Sequence, residues 1–95
     1  MTRVCVYGLY HLGSVTAACM ADYGFETVGL DDESNTVEQL NCGEPPLFEP
    51  GLSELISKGI ERKKLTFTND KKAVESQTHP YTFIDQVNIN DAIFN

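Results

Sequence analysis

Apolar residues along the chain form four short runs, and the stretches between them carry apolar residues at helical spacing. Each run is rich in β-branched or aromatic residues and stops at a glycine or a polar residue, as is typical of buried parallel strands. The predicted strands span residues 3–7, 25–30, 65–68 and 81–84.

The first stretch between strands has the pattern of an amphipathic helix packed closely on a sheet. Leu12, Val15 and Ala18 recur at intervals of three residues among small side chains, and Gly24 is suited to the left-handed position that ends many helices. The other predicted helices span 34–40 with Ser34 as N-cap, 51–58 or as far as 62, and 71–75 with Asp70 as N-cap.

The order β-α-β-α-α-β-α-β predicts a parallel sheet, because a helix must carry the chain back before each new strand. Right-handed crossovers then favour an α/β, Rossmann-like half-domain with strand order 3-2-1-4 and helices on both faces. Three prolines make 43–51 an irregular connection. We assign residues 1–86 to this domain and 87–95 to a tail, for which disorder is one interpretation.

Charge and composition narrow the possible partners. Ninety-five residues form one small domain, and the net charge of −7 argues against nucleic acid or an anionic membrane as a partner. The chain lacks an apolar run of the ~18 residues that a membrane helix needs, and its N-terminus lacks a signal-peptide pattern. We therefore expect a cytoplasmic protein.

The three cysteines lack the spacing of a metal site or a redox motif. Cys5 and Cys19 fall on apolar faces, which predicts buried thiols in a reducing compartment, and Cys42 stands apart. Because none of the three has partner residues for catalysis or metal binding, we predict neither a catalytic residue nor a metal ligand.

The stretch VCVYGLYHLG, residues 4–13, resembles the dinucleotide-binding pattern G-x-G-x-x-G with Tyr10 in place of the middle glycine. Gly8 lies where the chain must reverse after the first strand, and Gly13 lies where a helix must approach the sheet closely. The first amides of that helix suit a pyrophosphate. The predicted phosphate turn comprises Gly8, Leu9, Tyr10, His11, Leu12 and Gly13.

Asp31 strengthens this interpretation. It follows the second strand, where a carboxylate accepts hydrogen bonds from the adenosine ribose and favours NAD over NADP. Tyr10 raises the opposite possibility, because a side chain there either points aside or crowds the phosphates. His11 is either a further phosphate donor or a surface residue without a role.

The segment LNCGEPPLFEPGL, residues 40–52, together with the turn and Asp31, resembles the N-terminal domain of the nucleotide-sugar 6-dehydrogenases. That family, which includes the UDP-glucose and GDP-mannose enzymes, carries an L-N-x-G-x-x-P-[IF]-x-E-P-G-L segment that generic NAD domains lack. An aromatic residue followed by H-L-G occurs in one branch of the family, so Tyr10 is a branch feature under this interpretation.

The resemblance implies an NAD-dependent oxidation of a sugar C6 alcohol to a carboxylate. It places the nucleophilic cysteine, and the lysine and asparagine around it, beyond residue 95, so the isolated chain is expected to bind NAD without oxidising sugar. A UDP-sugar would be bound only in a full-length relative. Two positions depart from the family: Thr36 replaces a basic residue near the phosphates, and 84–88 lacks the T-P pair near the nicotinamide.

Two hypotheses remain. The chain is the NAD-binding part of a nucleotide-sugar 6-dehydrogenase, or it is a non-catalytic α/β interaction domain that has lost the cofactor. In either case the fourth strand is expected to leave an apolar sheet edge around Phe83 through which copies of the chain self-associate.

Overall fold

The computed structural model describes residues 3–75 and 81–85. Its four strands form one parallel sheet in the order β3-β2-β1-β4, which confirms the predicted topology. The elements in chain order are β1 Arg3–Tyr7, α1 His11–Tyr23, β2 Glu26–Leu30, α2 Ser34–Asn41, α3 Leu52–Glu61, β3 Leu65–Thr68, α4 Lys71–Glu75 and β4 Thr82–Asp85.

Alternation along β1 distributes its side chains between two cores. Val4 and Val6 pack with residues of α1, α2 and α3 on one face of the sheet. Cys5 points to the other face and packs with Val74 of α4. Helices therefore cover both faces, as the crossover argument predicts.

Gly29 of β2 makes the close packing of the first face possible. A Cβ atom at this position would lie 2.5 Å from Cδ1 of Phe67 and 2.9 Å from Cδ2 of Leu9. Both of those side chains are buried. Because Gly29 has no side chain, Leu9, the residue that follows Gly8, packs directly on β2.

The predicted caps of α1 and α4 are confirmed, and the N-cap of α2 lies one residue before the predicted position. Gly24 ends α1 in the left-handed conformation, with φ +117°, and Asp70 accepts a hydrogen bond from the Ala73 amide at the start of α4. The N-cap of α2 is Glu33, so the assignment of Ser34 to that position is wrong. The Ser34 hydroxyl instead accepts a hydrogen bond from the Asn69 side chain at 2.9 Å, while the Glu33 carboxylate accepts one from the Asn35 amide.

Other predicted boundaries hold to within about a residue. β2 begins at Glu26 rather than at position 25, and β4 begins and ends one residue later than predicted. The predicted boundary between domain and tail at residues 86 and 87 lies outside the described residues, as does the tail itself.

Candidate cofactor-binding site

The turn after β1 lies at the carboxyl edge of the sheet, beside the end of β2. The register pairs Tyr7 with Leu30, so the residues that follow them, Gly8 and Asp31, emerge side by side. The Gly8 amide donates to the Leu30 carbonyl at 2.9 Å, and Gly8 has φ +95°. A glycine is favoured here because the chain reverses through the left-handed region.

Asp31 is bonded directly to the turn. Its Oδ2 accepts a hydrogen bond from the Leu9 amide at 2.7 Å, and its Oδ1 accepts one from the Glu33 amide at 2.8 Å. The half-buried carboxylate therefore fixes the turn after β1 and the loop after β2 relative to one another. Each carboxylate oxygen has two acceptor positions, so Asp31 can still accept hydrogen bonds from a ribose hydroxyl.

The N-terminus of α1 is suited to an anion. Its N-cap, Tyr10, makes no side-chain hydrogen bond to the helix, and no acidic residue occupies the first turn of this described helix. The unpaired amides and the positive end of the dipole together favour a phosphate group. Gly13 lies on the buried stripe of α1, consistent with close helix–sheet packing.

Tyr10, at the middle position of the turn, has a negative φ and an exposed side chain. Its φ is −66°, so the middle position does not need the left-handed freedom of glycine, and 60% of the residue's surface is exposed. The buried Ser14 hydroxyl donates a hydrogen bond to the Tyr10 carbonyl one helical turn earlier. The exposed Tyr10 side chain is therefore compatible with the fold of the turn.

His11 is paired with the proline-rich connection. Its Nε2 lies 3.0 Å from a Glu49 carboxylate oxygen, and both side chains are half-exposed. The two residues border a groove of about 320 Å³ between α1 and the start of α3, which Leu12, Val15 and Leu52 also line. His11 thus joins the cofactor turn to residues 43–51, and it is not a surface residue without a partner.

Comparison with known proteins identifies the family to which this domain belongs. A sequence model described as the NAD-binding domain of the UDP-glucose/GDP-mannose dehydrogenase family matches residues 2–84. The chain belongs to this family. NAD is the cofactor of the domain. The turn after β1 and Asp31 lie at the carboxyl edge of the parallel sheet, the edge at which open α/β sheets generally bind their ligands.

Individual dehydrogenases support the assignment over a small part of their length. GDP-mannose 6-dehydrogenase of Pseudomonas syringae pv. syringae is 43% identical over 68 residues, which are 72% of this chain and 16% of that protein. A ternary complex of the Pseudomonas aeruginosa GDP-mannose dehydrogenase superposes with a TM-score of 0.73 at 38% identity, covering 77% of this chain and 17% of that one. A UDP-glucose dehydrogenase from Pyrobaculum islandicum superposes with a TM-score of 0.74 at 33% identity, covering 81% of this chain and 18% of that one.

The segment that carries the family resemblance is held by side-chain hydrogen bonds to α3 and to β3. Gly43 has φ +86°, and its carbonyl accepts a hydrogen bond from the Ser53 hydroxyl at 2.8 Å. Asn41, at the end of α2, donates from its side-chain amide to the Phe67 carbonyl of β3 at 3.1 Å. The segment is therefore ordered by specific hydrogen bonds even though it is neither helix nor strand.

The cysteines follow the prediction only in part. Cys5 is buried, and burial raises the pKa of its thiol to about 11. The expectation that Cys19 is buried is wrong, because Cys19 is exposed. Ala17, Ala18 and Ala21 form the buried stripe of α1, and Cys19 lies outside it, at the edge of the groove. No group of three or more potential metal ligands occurs among the described residues.

Sequence reasoning missed four residues beside the turn: Tyr7, Asp32, Glu49 and Lys71. The Tyr7 hydroxyl donates to Asp32 Oδ2 at 2.8 Å, and the Lys71 ammonium lies 5.2 Å from the centre of the Tyr7 ring. These residues come from four separate segments: the end of β1, the loop after β2, the connection between α2 and α3, and the start of α4. No sequence spacing therefore reports their proximity. The only signal was the position of Asp32 directly after Asp31.

Proposed function

We propose that this chain binds NAD⁺ through the backbone of residues 8–13 and through Asp31. The proposal is supported above all by the Asp31–Leu9 hydrogen bond, which brings the carboxylate after β2 next to the turn after β1. The pyrophosphate would lie against the first amides of α1, and Asp31 would accept a hydrogen bond from the adenosine ribose. When bound, NAD⁺ supplies a hydride acceptor.

We further propose that a full-length protein built on this domain oxidises the C6 alcohol of a nucleotide sugar to a carboxylate, in two steps that use two NAD⁺. This rests on the activities of the relatives, of whose length the chain spans about a sixth. The described residues bind and orient a cofactor in this proposal. They do not carry the oxidation, so the 95 residues alone should bind NAD⁺ and leave the sugar unchanged.

Calorimetric titration of the 95-residue chain with NAD⁺ and with NADP⁺ tests the cofactor proposal. We expect saturable NAD⁺ binding, weaker NADP⁺ binding, and weaker NAD⁺ binding by Asp31→Ala. Equal affinity for the two dinucleotides would contradict the placement of Asp31. Absence of NAD⁺ binding at millimolar concentration would favour the alternative, a domain that kept the fold and lost the cofactor.

We also propose that isolated chains associate through β4. Within residues 3–75 and 81–85 this strand pairs with β1 alone and is the last strand in the order of the sheet, and Phe83 is 53% exposed. Unpaired backbone groups beside an apolar side chain favour strand addition. Sedimentation at high micromolar concentration should detect dimers or larger species, and Phe83→Lys should reduce them. A clean monomer for the unsubstituted chain would refute the proposal.

A cytoplasmic location is the last part of the proposal. It is supported by the three free cysteines, two of them exposed, since exposed thiols persist in reducing compartments. No helix of the described residues is long and apolar enough to cross a bilayer. Localisation of a tagged protein by fractionation tests it, and recovery outside the cytoplasm would contradict it.

A further inference from the structure

Asp31 is followed at once by a second carboxylate that is held in place. Asp32 is exposed, and its Oδ2 accepts a hydrogen bond from the Tyr7 hydroxyl at 2.8 Å. Tyr7 is the last residue of β1, directly before the turn that receives the phosphates. The Asp32 carboxylate is thus fixed at the carboxyl edge of the sheet, one residue after the carboxylate proposed to meet the ribose.

The carboxylates of Asp31 and Asp32 have different hydrogen-bond partners. Asp31 uses one oxygen to hold the Leu9 amide and the other to hold the Glu33 amide. Asp32 is bonded to a side chain rather than to the turn, so its contribution there is chiefly its negative charge. Lys71 approaches the same Tyr7 ring and partly offsets that charge.

We propose that Asp32, positioned by Tyr7, is a second specificity-determining residue that excludes the 2′-phosphate of NADP⁺. This rests on the proposed NAD⁺ site. A 2′-phosphate next to Asp31 would carry nearly two negative charges into the vicinity of Asp32, and like charges a few ångströms apart repel even in water. NAD⁺ has only a hydroxyl at this position and is little affected.

The test compares dissociation constants of NAD⁺ and NADP⁺ for Asp32→Asn with those for Glu61→Gln. Both changes remove one negative charge from an exposed residue, but Glu61 ends α3, far from the turn and near the start of β3. For Asp32→Asn we expect NADP⁺ to bind about threefold to tenfold more tightly and NAD⁺ to change less than twofold. Glu61→Gln should leave the ratio of the two constants unchanged.

Two further variants separate charge from structure. Tyr7→Phe frees Asp32, so the ratio should shift in the same direction as for Asp32→Asn, by a smaller factor. Lys71→Gln added to Asp32→Asn should remove most of the gain in NADP⁺ affinity, because the cation is then no longer available to the phosphate. In 0.5 M salt the effects of all these substitutions should shrink.

The outcomes distinguish this inference from the proposed function. If the unsubstituted chain binds NAD⁺ but Asp32→Asn changes the ratio no more than Glu61→Gln does, Asp32 has no role in selectivity and the cofactor proposal stands. If the unsubstituted chain binds neither dinucleotide, both proposals are wrong. Circular dichroism should show each variant folded, since none of the substituted side chains is fully buried.

Discussion

Replacing Asp31 with alanine should destabilise the fold as well as weaken cofactor binding. The Leu9 amide, which donates to Asp31 Oδ2 at 2.7 Å, belongs to a residue with 0% exposure. Without the carboxylate, this donor is left in the interior with no acceptor, at a cost of about 1–3 kcal/mol. The Glu33 amide lies at the surface, where water replaces Oδ1 at little cost.

A loss of about 2 kcal/mol corresponds to a fall in Tm of about 8–16 °C for a domain of this size. Asp31→Asn keeps one oxygen acceptor, so its Tm should lie between those of Asp31→Ala and the unsubstituted chain. Asp32→Ala is the matched control: it removes the same atoms from the next residue, but it breaks only an exposed hydrogen bond to Tyr7. We expect that control to unfold within about 3 °C of the unsubstituted chain.

Thermal unfolding followed by circular dichroism measures both variants without any ligand. If Asp31→Ala unfolds at the same temperature as Asp32→Ala, the carboxylate does not hold the turn, and the reasoning from the buried Leu9 amide is wrong. If Asp31→Ala is destabilised and NAD⁺ binding is unaffected, Asp31 braces the turn without contacting the ribose.

Three further predictions concern single positions. Gly29→Ala should destabilise the domain by about 1–3 kcal/mol in denaturant unfolding, because the new methyl group would overlap the Phe67 ring. A denaturation midpoint equal to that of the unsubstituted chain would contradict this packing. Tyr10→Gly should bring no gain in NAD⁺ affinity by calorimetry, since the tyrosine side chain points outwards; tighter binding would mean that it crowds the phosphates. At pH 8 a thiol reagent should label the two exposed cysteines quickly and Cys5 only on unfolding, because burial raises the pKa of Cys5 to about 11. Equal labelling rates for the three cysteines would contradict the burial of Cys5.

The architecture was predictable because hydrophobic periodicity and crossover handedness are properties of the sequence itself. Strand order, helices on both faces and the left-handed Gly24 all follow from them. The N-cap of α2 was not predictable to the residue, because the choice between Glu33 and Ser34 depends on Asn69, which arrives from a distant loop.

The site was predictable in position but not in its contacts. Glycine spacing and the acid after β2 indicate where a dinucleotide belongs, whereas the Asp31–Leu9 and His11–Glu49 pairs depend on how separate loops meet. The prediction that Cys19 is buried was wrong for a related reason. Cysteine is apolar enough for a core, but the neighbours of Cys19 on α1 already fill the buried stripe.

A titration of the ¹⁵N-labelled chain with NAD⁺, followed by amide chemical shifts, tests the central claim most directly. We expect the largest shifts at the amides of His11, Leu12, Gly13 and Asp31, and none at Glu61 beyond the far edge of the sheet. Shifts confined to α3 or to the β4 edge, or no shifts at saturating NAD⁺, would contradict a cofactor site built from the turn after β1 and the carboxylate after β2.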